Sequence, residues 1–203
     1  GGGEWQNAEL VLVSATENDK LIGIAPFFIA EYDGQQALML LGSIEISDYL
    51  DLIVHEGDLS RFLSGLIDFL ASSGAGGWSA IDWYNLPDCS PTLAALKVES
   101  EKRGWNYHEE IYRPTPRIAL NGSFEEYLSR VEKKQRHEIR RKMRRAEESD
   151  QQVRWYIVED ESQLDSEVDA FLALMANDPE KAAFLTEPMR AQMRATAHNA
   201  FRE

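Results

Sequence analysis

Apolar positions in the first third of the chain fall in alternating or continuous runs, separated by short polar clusters. ELVLVSAT from Glu9, LIGIAPFFIAEY from Leu21 and ALMLLGS from Ala37 are the runs, and ENDK and DGQQ are the clusters between them. Period-two alternation predicts strands. Asn18-Asp19 and Asp33-Gly34 supply turn chemistry, so the three runs predict an antiparallel meander. SDYLDLIV predicts a short strand ending at HEGD. From Leu59 the period changes: Leu59, Phe62, Leu63, Leu66, Ile67 and Leu70 recur at threes and fours, which predicts a helix with one buried face, closed by the Gly-rich SSGAGG. WSAIDWYNL follows as a further strand.

Ser90-Pro91 has the form of a cap with proline at the first helical position, predicting a helix to about Arg103 that stops at Gly104. WNYHEEIYRPTPRIAL supplies one or two strands, with Pro114 and Pro116 confined to an edge or bend. Ser123 and Glu126 stand at capping-box spacing, so a helix starts there with Phe124, Tyr127, Leu128 and Val131 inward and continues into KKQRHEIRRKMRR. QQVRWYIVED predicts a strand, and two helices close the chain, roughly Gln163 to Met175 and Pro188 to Phe201. A strand meander followed by unevenly mixed strands and helices predicts an α+β fold with a mixed sheet and argues against a doubly wound one. The change from compact sheet to long charged helices near Gly122 predicts a boundary there, dividing 1–121 from 122–203.

Composition constrains the partners. The 203 residues carry a formal charge of -14, and 43% are hydrophobic, enough for a real core. Lys133 to Arg145 holds eight basic side chains and one acid, +7, leaving -21 on the remainder. That remainder opposes nucleic acid and acidic membranes, so anion binding must be local. No apolar run approaches the roughly 20 residues that span a bilayer. One cysteine, Cys89, fits a reducing compartment, and the expected location is the cytoplasm. GGGEWQ has neither an initiator methionine nor a signal pattern, and the amphipathic last segment lacks a stop signal, so the chain is expected to be a fragment at both ends.

Several chemistries find little support. His55, His108, His137 and His198 lie far apart without metal-ligand spacing, so no metal is expected. Cys89 in LPDCSP has no nucleophile signature that would pair it with His108, and the glycines of SSGAGGW precede a strand rather than aim a helix at phosphate. SDYLDLIV is more suggestive: Asp48 and Asp51 flank Tyr49 at a strand entry, where acids have poor propensity. They either solvate a loop or present carboxylates to a polar or amine-bearing substrate. Asn85 and Asp82 of DWYNLP either line the same cleft or end a strand at a Pro turn. In the basic segment, Arg136, Arg140 and Arg144 share one helical face, Lys134, Arg141 and Arg145 make a neighbouring stripe, and Ile139, Met143 and Ala146 form a thin apolar seam. Such cations either meet the surplus carboxylates of the chain or offer forked donors to phosphate or carboxylate. No aromatic residue is interleaved for base stacking.

LIGIAPFFI, SDYLDLIV, IDWYNLP, GSFEEYLSRVEKKQRHEIRRKMRRAEE and KAAFLTEPMR, in this order, resemble the GNAT-fold acetyltransferases of the CelD/BcsL type, associated with cellulose biosynthesis. The basic segment is also similar to that of FemAB-type peptidoglycan aminoacyltransferases, which share a doubled GNAT architecture. The resemblance implies a GNAT-like, largely antiparallel mixed sheet flanked by helices: the first half of a double-GNAT protein plus the start of the second. It implies acyl transfer from acetyl-CoA or another acyl-CoA to an amine or hydroxyl of a sugar or cell-envelope precursor. Asp48, Tyr49, Asp51 and Asn85 would contact the acceptor, and Lys134, Arg136, Arg140, Arg141 and Arg144 an anion. The second half ordinarily carries the acyl-CoA cleft, so the catalytic residues have no counterparts here and the chain alone is expected to be inactive. The alternatives are aminoacyl transfer from tRNA, the one reading that brings in nucleic acid, and a non-catalytic module whose basic helix docks an acidic partner.

Overall fold

The computed structural model describes residues 5, 7–42, 44, 46–72, 77–150, 153 and 155–202, in two compact units, Gly1–Pro114 and Thr115–Glu203. In the first unit β1 (Glu9–Glu17), β2 (Lys20–Tyr32) and β3 (Gln35–Leu40) form the antiparallel meander. Each hairpin turns on two left-handed residues, Asn18 and Asp19 (φ 49° and 60°) and Asp33 and Gly34 (φ 50° and 74°). This is the turn geometry whose twist matches the flanking strands. β4 (Ile53–Val54) pairs antiparallel with β2 at Gly23 and Ile24, and β5 (Ala80–Ile81) runs parallel to β3. The sheet is therefore open and mixed, with order β1-β2-β3-β5. Proline is normally excluded from an inner strand. Pro26 is accommodated where the partner of β2 changes from β4 to β3, and its carbonyl accepts a hydrogen bond from Leu41 N at 2.8 Å.

β2 and β3 are covered on both faces. On one, Ala25, Phe27, Ile29, Leu38 and Leu40 pack with α1 (Leu59–Ser72), which follows a single 3-10 turn and buries Leu59, Phe62, Leu63, Leu66, Ile67 and Leu70. These are the six positions the periodicity selects. Burying each is worth roughly 1.5–3 kcal/mol, so this stripe dominates the attachment of the helix. The approach is close at Gly23, where an added Cβ would lie 2.9 Å from the Phe62 ring. On the other face Phe28, Ala30, Ala37 and Met39 are buried beneath Trp5, Ala8, Tyr32, Ile44 and Tyr84.

α2 (Pro91–Arg103) begins and ends as the sequence predicts: Ser90 caps it through Thr92 N at 3.1 Å, and Gly104 closes it at φ 67°. Its last turn holds the one deeply buried carboxylate of the unit among the described residues. Glu99, 3% exposed, accepts from Lys102 and Arg103, and Arg103 also reaches Asp68 and the Ser64 carbonyl on α1. A buried charge is tolerated only with partners of this kind.

The second unit is helical: α3 (Phe124–Arg130), α4 (Lys133–Glu147), α5 (Glu161–Met175), α6 (Pro179–Phe184) and α7 (Glu187–Arg202). Both halves of the Ser123–Glu126 capping box are formed. The helix expected to run from Ser123 through the basic segment is broken. Val131 and Glu132 are extended (ψ 143° and 140°), Val131 N closes α3 on the Leu128 carbonyl, and Arg136 donates to the Leu128 and Ser129 carbonyls. That guanidinium occupies carbonyls that a continuous helix would use itself. α5 and α7 are antiparallel and joined by Glu161–Arg202 (3.7 Å), Asp165–His198 (2.8 Å) and Asp169–Arg194, each one helical turn from the next. Both helices follow the spacing of the sequence, whereas neither this ladder nor α6, whose cap is Asp178, is among the expected elements.

The strands expected within 105–120 and 151–160 are absent among the described residues, where the backbone is irregular. Ile111, Leu120, Trp155 and Ile157 are exposed. Alternation identifies residues suited to burial, but a strand exists only where a neighbour pairs its N–H and C=O groups.

Candidate functional site

Asp51 and Asn85 meet at one junction of the first unit, where Leu50 N donates to the Asn85 carbonyl at 3.0 Å. Asp51 Oδ1 accepts from Leu52 N at 2.8 Å and from Thr92 Oγ1 at 2.6 Å, and Oδ2 accepts from Ser90 Oγ. The carboxylate thereby ties the entry of β4 to the N-terminus of α2, where negative charge is favoured. Asn85, held left-handed at φ 59°, donates from Nδ2 to the Ile44 and Ser47 carbonyls at 2.9 and 2.7 Å. These polar atoms are thus engaged within the fold. Asp48 and Tyr49, a few residues away, are exposed, Tyr49 by 54%, and neither makes a hydrogen bond or ion pair among the described residues.

Next to this junction, at the C-terminal end of β5, lies a polar-aromatic corner that the sequence showed only as DWYNLP. Tyr84 Oη donates to Tyr32 Oη at 3.0 Å, and the Tyr84 ring meets Tyr32 and Tyr112 edge-on at centroid distances of 5.8 and 5.3 Å. Burial, then the bond to Tyr32, pushes the Tyr84 phenol well above its ordinary range. Burial also raises the Asp82 carboxyl, and repulsion from Asp33 and Glu110 adds to the effect. Desolvation and like charge together favour a carboxyl that holds its proton more tightly and accepts one more readily. Tyr32 and Tyr112 lie too far away in sequence for any spacing rule to have gathered them. Cys89 is an exposed free thiol, while His108 lies 3.6 Å from Glu110, so no thiol–imidazole pair forms.

In the second unit no residue of α4 is buried. The five cations named from sequence divide by partner. Arg136 closes α3, Arg141 makes a two-pronged pair with Glu138 at 2.8 and 2.7 Å, and Arg140 reaches Glu125 of α3. That pairing draws the Glu138 carboxyl below its usual range. Lys134 and Arg144 have no acidic partner among the described residues. Glu125, His137, Arg140 and Arg144 line an open depression of about 450 Å³. The apolar seam is partial, with Ile139 and Ala146 half-buried and Met143 exposed.

Among the described residues no group of three or more His, Cys, Asp or Glu side chains is arranged to hold a metal ion, and no helix is long and apolar enough to cross a membrane. Fold and site together define an α+β protein with an open mixed sheet flanked by helices. A scan against protein-family models and searches of curated proteins and solved structures returned no match.

Proposed function

We propose that the chain belongs to a GNAT-type acyltransferase that moves an acyl group from acyl-CoA to an amine or hydroxyl of a sugar or cell-envelope precursor. The observation that supports it best is the order of the sheet: an antiparallel three-strand meander, a short strand that returns to pair with β2, then a helix and a strand parallel to the third. On this reading the first unit is the first GNAT-like half, and the second unit would open the other half.

On this reading the acceptor meets the end of β5 and the loop before β4, where Asp48 and Tyr49 are exposed and Asp82 is suited to take a proton. Asp51 and Asn85 act from behind, holding that loop against α2 and β5. Direct attack on the thioester breaks its C–S bond, forms the new C–N or C–O bond and releases CoA thiol, with no covalent enzyme intermediate. The test supplies the product of the complete reading frame with acetyl-CoA labelled in the acetyl group and a panel of amino sugars and hydroxyl-bearing envelope precursors. Label passing to an acceptor supports the reading. Label remaining on CoA across the panel, with transfer from aminoacyl-tRNA instead, replaces it with the FemAB-like alternative.

A further inference from the structure

We infer that the depression between α3 and α4 is a binding site for a small molecule carrying a diphosphate, and that Glu125 occupies it in the ligand's absence. The inference uses residues of the second unit alone and does not rest on the acyltransferase reading. Its walls are Glu125 of α3 and His137, Arg140 and Arg144 of α4. On α4 these three follow one another at near-helical spacing, and Lys133 extends the stripe one turn toward the N-terminus. Arg140 and Arg144 stand four positions apart, a rise of about 6 Å, so their forked donors serve two adjoining phosphoryl groups better than one.

The partners of the helix single out this stretch. Arg136 is spent on the α3 carbonyls and Arg141 on Glu138, so neither is available without loss of structure. Arg144 has no acidic partner among the described residues, and the one acid in the depression, Glu125, holds Arg140 in a pair whose side chains are 70% and 48% exposed. An exposed pair of this kind is weak, and a ligand bearing more charge displaces it. Glu125 thus screens the site without closing it. A long polyanion would meet the other acids flanking α4, Glu132, Glu147, Glu148 and Asp150, whereas a diphosphate fits between them.

The test is calorimetric titration of inorganic pyrophosphate, with orthophosphate at matched ionic strength, into the whole chain. Pyrophosphate is expected to bind more tightly than orthophosphate. Arg144→Gln should weaken it about five- to tenfold, the loss of one charge-assisted contact. Glu125→Gln should tighten it about two- to fivefold by releasing Arg140, a sign that a merely structural role for Glu125 would not give. Lys142→Gln removes the same charge from α4 outside the depression and should change affinity less than twofold; circular dichroism confirms that each variant is folded. The inference is overturned if pyrophosphate gives no saturable heat, if Glu125→Gln fails to tighten binding, or if Lys142→Gln weakens it as much as Arg144→Gln. It is equally overturned if a short RNA binds with a steep salt dependence while pyrophosphate does not.

Discussion

Replacing Glu99 by Gln tests the energetics of the first unit at the point where α1 and α2 are tied. The Glu99 side chain is 4% exposed and accepts from Lys102 Nζ at 2.6 Å and from Arg103. Lys102, then Arg103 and Ser64, hold its carboxyl down at about 2 against the opposing cost of burial. A fall from 4.5 to about 2 corresponds to roughly 3 kcal/mol at 1.36 kcal/mol per pKa unit. Lys102 is itself 60% exposed, so the pair lies just beneath the surface and solvent screening reduces the figure to about 2 kcal/mol. The folded-state pKa is depressed, so this stabilisation is fully present above the unfolded value near 4.5 and is lost as pH falls from there toward 2. Glu99→Gln keeps the shape, and Arg103 keeps Asp68 and the Ser64 carbonyl. Urea unfolding followed by tryptophan fluorescence, at pH steps from 7 to 2.5, should show the variant about 2 kcal/mol less stable at pH 7 and the two proteins converging below pH 4. The comparison cancels every other carboxylate, so parallel stability curves across the range would show that the charge on Glu99 does not hold the two helices together.

Gly23→Ala forces a methyl group to within 2.9 Å of the Phe62 ring and should destabilise the first unit by about 1–3 kcal/mol, with Phe62→Leu in the same chain recovering part of the loss; thermal melts of the three variants decide it. Asp82→Asn should raise stability at pH 7. The folded carboxyl is raised by burial and by Asp33 and Glu110, so its ionisation opposes folding as pH climbs past the unfolded value, and the gain should vanish in acid; a gain over the parent no larger at pH 7 than at pH 3 contradicts this. For the ladder between α5 and α7, a double-mutant cycle on Asp169→Ala and Arg194→Ala should give a coupling of about 0.3–1 kcal/mol that shrinks in 0.5 M salt, and a salt-independent coupling would point to packing instead.

What the sequence made legible is set by how local the determining physics is. The two hairpins, the start and end of α2 and the buried stripe of α1 depend on residues within a turn or two of each other, and the structure places all of them as predicted. The broken helix at Val131 was not legible, because Arg136 acts on carbonyls seven and eight residues upstream and no propensity encodes that. The segments around Ile111 and Trp155, which form no strand among the described residues, differ for the opposite reason: their own pattern is strand-like, but strand pairing is a property of two segments. The candidate site shows the same divide. DWYNLP and the acids of SDYLDLIV stood out, yet neither the assembly of Tyr32, Tyr84 and Tyr112 nor the engagement of Asp51 and Asn85 within the fold could be read from spacing.

Charge is distributed unevenly enough to decide what kind of anion the chain attracts. Residues 1–114 contain 18 acidic and 6 basic side chains, a net of -12, whereas residues 115–203 contain 17 and 15, a net of -2. Residues 123–148, spanning α3 and α4, contain 6 acidic and 9 basic, a net of +3. At physiological ionic strength charges act over about 8 Å, roughly the length of one and a half helical turns, so an anion at α4 responds to Arg140 and Arg144 far more than to the total of -14. A polynucleotide cannot exploit this, because its successive phosphates extend beyond that distance into acidic surroundings. A ligand with two phosphoryl groups stays within it. The binding of pyrophosphate should accordingly weaken only modestly between 0.05 and 0.2 M salt, while any retention of RNA on the chain should collapse over the same interval.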